Sequence, residues 1–238
     1  MESDSIANKQ IVEILSGKSN LKSKVYDKMQ GVFNELKELL GELSNDLGDA
    51  LDELRDSGKQ LSKRVKLEYR DRGKLEAELC FADDVLVFSL LPDIYKFDRE
   101  HPIYKNQYAV ESPYNSYCGI INIYNFLYES IRYDREDDLG YLVARIFVNS
   151  DGAFFVEGKR QIFNKIEDFG KNFMSRENLK IIVENAMLYA LSFDLLVPRF
   201  DDVKLTTVDQ MNQKIDNSRM KTGKRQGFNF NTDDILGS

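Results

Sequence analysis

Apolar residues in the N-terminal part of the chain recur at alternating steps of four and three, which is the spacing of a heptad seam. The seam runs through Val25, Met29, Val32, Leu36, Leu39 and Leu43. Beyond it, the steps through Leu47, Leu51 and Leu54 become four, four and three, which resembles a stutter. This pattern predicts a long helical arm over residues 1–63 with a charged, solvated opposite face.

The arm has two alternative partners. Gly31, Gly41 and Gly48 each cost roughly 1 kcal/mol relative to alanine inside a helix, so a free-standing rod is disfavoured. A second copy of the chain would complete a coiled coil, whereas the protein's own sheet would bury the seam internally. The pattern alone leaves both alternatives open.

After the arm the apolar period changes from that of a helix to two. Residues 65–69, 75–81 and 85–88 alternate or run apolar in the manner of strands, with Asp71-Arg72-Gly73 as a turn between the first two. These segments predict a three-stranded antiparallel meander at the start of a domain spanning residues 64–200.

Residues 92–117 lose all periodicity and hold three of the four prolines. A long loop rich in aromatic residues is typical of an ordered functional segment. Phenol rings combine apolar area with a hydrogen-bonding tip, so we expect this loop to be a recognition surface. Its candidate binding residues are Tyr95, Tyr104, Tyr108, Tyr114 and Tyr117.

Residues 119–131 place apolar side chains on one helical face, which predicts a helix over the sheet. Neighbouring Ile121 and Phe126 leave a strand as the alternative. Residues 141–148 and 153–156 predict a hairpin, because the Asp-Gly pair between them suits a tight turn.

A closing helix is predicted over residues 178–196, with Ser175 as its N-cap. The polar residues 201–238 are predicted to form a flexible tail. The chain is therefore expected to be an α+β protein in which helices cover an antiparallel sheet of about five strands.

Composition narrows the classes of function. With 42% hydrophobic and 31% charged residues, the chain has the make-up of a folded protein. Its formal net charge of −7 disfavours nonspecific nucleic-acid binding. Cys80 and Cys118 are too few for a disulfide framework, and no apolar run reaches the ~20 residues that span a bilayer. These features predict a soluble, cytoplasmic protein without membrane contact.

One arrangement of charged residues suggests chemistry. Asp138 precedes the first strand of the predicted hairpin, and Glu157 and Lys159 end the second. Two carboxylates can hold Mg²⁺ while a lysine activates water. The order resembles the core motif of the PD-(D/E)xK nuclease superfamily, with Glu129 matching the extra acidic residue of some members. The resemblance implies Asp138, Glu157 and Lys159 as catalytic residues, Asp138 and Glu157 as Mg²⁺ ligands, and a nucleic-acid substrate.

Other catalytic side chains are scarce. His101 is the only histidine, and Cys118 begins an apolar segment, where a thiol is expected to be buried rather than reactive. The leading expectation is a non-catalytic binding or regulatory protein that needs no cofactor. It would self-associate or dock a protein partner through the arm and recognise a ligand through the tyrosine-rich loop, and the Mg²⁺-dependent nuclease is the alternative.

Overall fold

The computed structural model describes residues 2–62, 65–133, 135, 138–158 and 165–193. The chain begins with helix α1 (Glu2–Ile14), a π turn (Leu15–Ser19) and helix α2 (Asn20–Asp56). The predicted helical arm is therefore present. The predicted tail at 201–238 lies outside the described residues.

An antiparallel sheet of seven strands forms the centre of the protein. The strands run in the order β1-β2-β3-β5-β6-β7, and the short β4 pairs with β5. The predicted α+β class is confirmed, with more strands than the expected five. The strands are β1 (Leu67–Asp71), β2 (Glu76–Phe81), β3 (Asp84–Leu90), β4 (Tyr95–Lys96), β5 (Tyr117–Leu127), β6 (Tyr141–Asn149) and β7 (Phe154–Gly158).

Three further helices complete the described fold: α3 (Gln107–Glu111), α4 (Tyr128–Arg132) and α5 (Arg176–Leu191). Short 3-10 turns at Pro102–Lys105 and Ile166–Asp168 lie in the segments that cross the sheet. Helix α5 begins as predicted at a serine cap, where Ser175 Oγ accepts a hydrogen bond from the Asn178 amide at 3.3 Å.

Helices α2 and α5 cover one face of the sheet. All six seam residues from Val25 to Leu43 are buried there, in one cluster with Leu79, Phe88 and Ile121 of the sheet and Ile182 of α5. The seam thus packs against the protein's own sheet, the second of the two alternatives. A helix of this length is stabilised chiefly by such packing rather than by its glycine-containing sequence.

The opposite face of the sheet carries two separate apolar clusters. The first, which we call the loop cluster, joins Ile120, Phe147 and Phe155 of the sheet to Ile103 and Phe169 of the crossing segments. The second lies at the α4 end and contains Cys80, Val85 and Val87, with Tyr124 and Phe126 packed against them. The tyrosine-rich loop therefore lies across the sheet as an ordered cover.

The prediction of a helix over residues 119–131 is wrong. Strand β5 occupies residues 117–127, and only the short α4 follows. Ile121 and Ile123 are buried under α2 while Cys118 and Ile120 are buried under the loop. A central strand buried on both faces has a nearly continuous apolar sequence, which imitates the apolar face of a helix.

The hairpin of β6 and β7 is confirmed. Its turn contains Gly152 at a φ of +86°, a left-handed conformation that glycine adopts without strain. Asn149 Oδ1 accepts from the amides of Asp151 and Ala153, both at 3.0 Å, and fixes the turn from inside.

Among the described helices, none combines the length and the apolar character that crossing a bilayer would require.

Helix α2 approaches the sheet closely at Gly119 of β5. A Cβ there would lie 2.2 Å from Met29 Cγ. We expect Gly119→Ala to destabilise the fold by about 1–3 kcal/mol through overpacking. Combining it with Met29→Ala should recover part of that loss, because the shorter side chain removes the clash. Urea denaturation of the two single variants and the double variant measures this coupling.

Gly31→Ala is the matched control, since nothing lies within 4 Å of the added methyl group. It should stabilise α2 by up to about 1 kcal/mol. If the double variant lost as much stability as the two single variants Gly119→Ala and Met29→Ala together, the described packing would be contradicted.

Candidate functional site

The tyrosines of the loop divide into structural and exposed groups. The Tyr104 hydroxyl donates to the Phe97 carbonyl at 3.2 Å, and Tyr117 is buried with the Lys96 ammonium 5.4 Å from its ring centre. Tyr95 and Tyr114 are 40% and 46% exposed. Of the five predicted binding residues, therefore, only these two are exposed.

Tyr108 is the anchor of the loop. Its hydroxyl donates to Asp151 Oδ2 at 2.9 Å and accepts from Asn149 Nδ2 at 2.9 Å, which ties the loop to the hairpin turn. Its ring packs edge-on against Phe169. The Tyr108 ring also lies against Gly170, where the φ of +87° and the absence of a Cβ allow the approach.

A groove of about 520 Å³ lies beside this anchor, between residues 102–111 and 166–171. The groove has the size of many small-ligand sites. Asn106 builds its wall, because Nδ2 donates to the carbonyls of Ile166, Glu167 and Phe169 at 2.9–3.2 Å. Lys105 and Glu111 line it as well, so its charge is mixed.

The first turns of the helical arm are exposed. Ile11, Ile14 and Leu15, at positions i, i+3 and i+4, are 53%, 58% and 57% exposed, and the adjacent Val12 is 63% exposed. The π turn that follows contains Gly17, and the Tyr114 hydroxyl lies 3.5 Å from where a Cβ of Gly17 would be. We call the four residues Ile11, Val12, Ile14 and Leu15 the arm patch.

The residues of the predicted nuclease site lie in different surroundings. Asp138 accepts a hydrogen bond from Ser130 Oγ at 2.7 Å and lies 3.6 Å from Arg135 Nη1. Glu129 also pairs with Arg135, at 3.4 Å. These contacts hold the connection between α4 and β6, and Lys159 lies outside the described residues.

Glu157 belongs to the sheet instead. It pairs in register with Arg145, four residues beyond the first residue of β6, which is about 13 Å along the strand. Asp138 precedes that strand. Two carboxylates that share Mg²⁺ must both approach to about 2 Å from the ion, and the described contacts do not bring these two together. The nuclease alternative stays a prediction without geometric support.

The neighbours of Glu157 are a cation and the single histidine. Arg145 Nη2 and Nε donate to Glu157 Oε2 at 2.5 and 3.1 Å, and His101 Nε2 lies 3.8 Å from Glu157 Oε1. His101 Nδ1 accepts from the Ile103 amide at 3.3 Å, so the neutral ring carries its proton on Nε2. The ring stacks on Phe97 at 4.5 Å between centres.

The two thiols are buried and free. Burial raises the pKa of Cys118 far above its ordinary value and that of Cys80 to about 11. Both are therefore neutral near pH 7 and poor nucleophiles. The expectation that Cys118 is buried is confirmed.

Two polar residues of the sheet face opposite α2, Asn122 and Arg145, were not among the predicted site residues. Asn122 is 8% exposed in the middle of β5, beside Arg145 in the sheet. The available signal was a single polar residue inside an apolar run, Ile-Ile-Asn-Ile for Asn122 and Val-Ala-Arg-Ile for Arg145.

The Tyr108 hydroxyl bridge makes a testable contribution to stability. Tyr108→Phe leaves the buried Asn149 amide with a weakened set of partners, so we expect a loss of about 1–2 kcal/mol in urea denaturation. Tyr95→Phe, at an exposed tyrosine of the same loop, should change stability by less than about 0.5 kcal/mol. Equal effects of the two substitutions would show that the bridge does not anchor the loop.

The raised pKa values of two tyrosines predict that the protein loses stability at alkaline pH. Burial raises the pKa of Tyr108 and of Tyr141 from 10.0 to about 12. The unfolded chain then releases these protons at lower pH than the folded one. The contribution of the two protonated tyrosines to the free energy of unfolding is complete below about pH 10 and is lost as pH rises through about 12. Urea midpoints measured from pH 8 upward should fall most steeply above pH 10, and Tyr108→Phe should flatten that fall. An unchanged slope in the variant would contradict this assignment.

Comparisons with protein-family models, with curated proteins and with solved structures give no match for this chain. Because a fold by itself does not specify a function, the evidence for function is the contacts, exposure and charge of the surfaces described above.

Proposed function

We propose that the protein is a non-catalytic binding protein that self-associates through its arm patch and recognises a ligand at the loop-built groove. The observation that carries the proposal is the exposure of the arm patch. Four neighbouring aliphatic side chains, each more than half exposed, are a stronger indication of an interaction surface than isolated apolar residues.

The contrast within one helical arm supports this assignment. The seam of α2 is buried on the sheet from Val25 onward, whereas residues 6–16, in α1 and the start of the π turn, are exposed. The π turn between them adds a residue to the helical turn, and each residue rotates the helix by about 100°. The arm patch therefore does not continue the buried seam and points to a different partner.

The size of the arm patch favours a second copy over a large partner. Burying an aliphatic side chain removes on the order of 60–120 Å² of apolar surface from water. Four such side chains from each of two copies, with their flanking polar atoms, give roughly 1,000 Å², which suits a weak, reversible dimer. A two-fold pairing of identical patches satisfies both copies at once.

The second element of the proposal is recognition by the tyrosine-rich loop. Tyr108 and Asn106 preorganise the groove. The Tyr108 hydroxyl is hydrogen-bonded to the hairpin turn, and the Asn106 amide is hydrogen-bonded to carbonyls of residues 166–169. A preformed groove loses less entropy on binding than a mobile loop. Tyr95 and Tyr114 are the loop tyrosines exposed enough to contact a protein ligand.

The proposal extends to a cytoplasmic location, which the two buried free thiols support. It leaves the nuclease as the competing function. Cleavage of DNA or RNA that requires Mg²⁺ and is abolished by Glu157→Ala would replace the binding proposal with the enzymatic one.

Light scattering coupled to size-exclusion chromatography tests the assembly. At tens of micromolar the protein should show a mass above that of the monomer, falling toward the monomer on dilution. Ile11→Glu combined with Ile14→Glu should give a monomer at all these concentrations, because a charge in an apolar interface costs more than the weak interface provides.

Val110→Glu is the matched control, as Val110 is 60% exposed outside the arm. It should leave the measured mass unchanged. A strict monomer for the natural sequence at tens of micromolar, or an unchanged mass in the Ile11/Ile14 double variant, would contradict assembly through the arm patch.

A further inference from the structure

His101 lies between two partners that require opposite protonation states of its ring. Nδ1 accepts a hydrogen bond from the Ile103 amide at 3.3 Å, while Nε2 lies 3.8 Å from Glu157 Oε1. Only the neutral ring has a nitrogen that can accept a hydrogen bond, and only the protonated ring carries a charge that attracts a carboxylate. Protonation of His101 therefore breaks the contact with Ile103 and strengthens the contact with Glu157.

The Ile103 amide depends on the His101 ring for its hydrogen bond. It belongs to the 3-10 turn Pro102–Lys105, and the first amides of such a turn have no acceptor within it. Pro102 has no N–H, and the Tyr104 amide already donates to the His101 carbonyl at 3.1 Å. Ile103 itself is fully buried in the loop cluster. Because a buried amide without an acceptor is destabilising, the neutral ring holds this turn in place.

Glu157 presents one carboxylate oxygen to each of two basic side chains. Arg145 donates twice to Oε2, at 2.5 and 3.1 Å, and Oε1 faces His101. The 3.8 Å between His101 Nε2 and Oε1 exceeds the length of an N–H···O hydrogen bond. A protonated ring would gain a charge-assisted hydrogen bond by moving closer to this oxygen.

Phe97 provides a surface on which the His101 ring can turn. The two rings are stacked with their centres 4.5 Å apart and their planes at 29°. Phe97 is itself packed against Phe147 and Phe155 of the sheet. The face of an aromatic ring also attracts a cation, so the stacking suits the protonated ring as well as the neutral one.

The other charged groups near His101 belong to its own segment or act through Glu157. The Asp98 carbonyl accepts from the His101 amide at 3.1 Å, and the Asp98 carboxylate accepts from the Glu100 amide at 3.0 Å. Arg145 contacts the far oxygen of Glu157. Within the part of the chain that the structure describes, the one ion pair that includes His101 is that with Glu157. A change in the charge of the ring thus acts directly on Glu157 and on the turn.

We propose that His101 is a pH-sensitive latch of the tyrosine-rich loop. The neutral ring caps the turn at residues 102–105 and holds the loop on the sheet. In mildly acidic solution the ring takes a proton from water, releases the Ile103 amide and pairs with Glu157. The ring returns the proton to water when the pH rises, so the change is reversible.

The latch affects the groove because its turn forms part of the groove wall. Pro102 and Lys105 line the groove, and Asn106, at the end of the turn, donates to the carbonyls of the opposite wall. Release of the turn therefore reduces the preorganisation of the groove. The latch concerns the conformation of the loop alone, so its test needs no ligand and does not depend on the proposed binding function.

Nuclear magnetic resonance of the full chain at about pH 8 and about pH 5 tests the latch. His101 is the only histidine, so one titrating imidazole is observed. Its nitrogen shifts should show an unprotonated Nδ1 at the higher pH and two protonated nitrogens at the lower. The protection factor of the Ile103 amide, which corrects for the intrinsic effect of pH on exchange, should fall at least about tenfold. Amides of β5 should keep their protection, because the core does not open.

His101→Asn is the matched variant. Asparagine retains a side-chain oxygen that can accept from the amide two residues later but does not titrate, so Ile103 should stay protected at both pH values. His101→Ala removes the acceptor and should leave Ile103 poorly protected at both. Glu157→Gln removes the charge that attracts the protonated ring, so the loss of protection should begin at a lower pH than in the natural sequence.

Three results would overturn the latch. One is an Ile103 protection factor that stays constant from about pH 8 to about pH 5 in the natural sequence. Another is an equal loss of protection in His101→Asn, which would show that the imidazole is not the titrating group. An equal loss in the amides of β5 would show general acid unfolding instead of a local release.

Discussion

The apolar seam of α2 has to be removed from water, and the sheet is the surface that removes it. Val25 to Leu43 form one cluster with the strands and with α5, and some of the largest fully buried side chains, such as Phe33 and Phe88, lie in that cluster. Burial of such side chains is the dominant favourable term in folding. Burial of the seam also brings β5 close to α2, and the missing side chain of Gly119 leaves room for Met29.

Once α2 and α5 occupy one face of the sheet, the other face is left for the crossing segments. These segments cover only the part near Ile120, Phe147 and Phe155, because Tyr108, Asn149 and Asp151 fasten them to the end of the hairpin. The arm patch, in turn, is apolar and exposed because the buried part of the seam begins only after the π turn. The exposed surfaces thus follow from how far each cover extends.

Local patterns predicted the parts of the fold that depend on local rules. The heptad spacing gave α2, the alternation of residues 65–88 gave the meander, and Asp151-Gly152 gave the hairpin turn. Strand β5 was mistaken for a helix because its burial on both faces comes from tertiary packing, which erases the period of two. The partner of the seam was undecided for the same reason, since one apolar stripe suits a sheet or a second helix equally well.

The candidate site was less predictable than the fold. Glu157 was recognised as a polar strand residue, but its partners Arg145 and His101 come from another strand and from a distant loop. Register decides such contacts, and a register cannot be derived from composition. The segment that holds the five tyrosines is ordered, with Tyr95 in β4 and Tyr117 at the start of β5. Which of them are anchors and which are exposed depends on hydrogen bonds to Asn149, Asp151 and Phe97.

Hydrogen exchange along the helical arm at two protein concentrations tests the central claim most directly. The claim is that one continuous arm has a core segment, Val25 to Leu43, and an assembly segment, residues 6–16. The amides of the core segment should exchange only by global unfolding at either concentration. Those of the assembly segment should exchange quickly in dilute protein and slow down as concentration rises. Protection of residues 6–16 equal to that of α2 in dilute protein, or fast exchange in the core segment, would contradict this account.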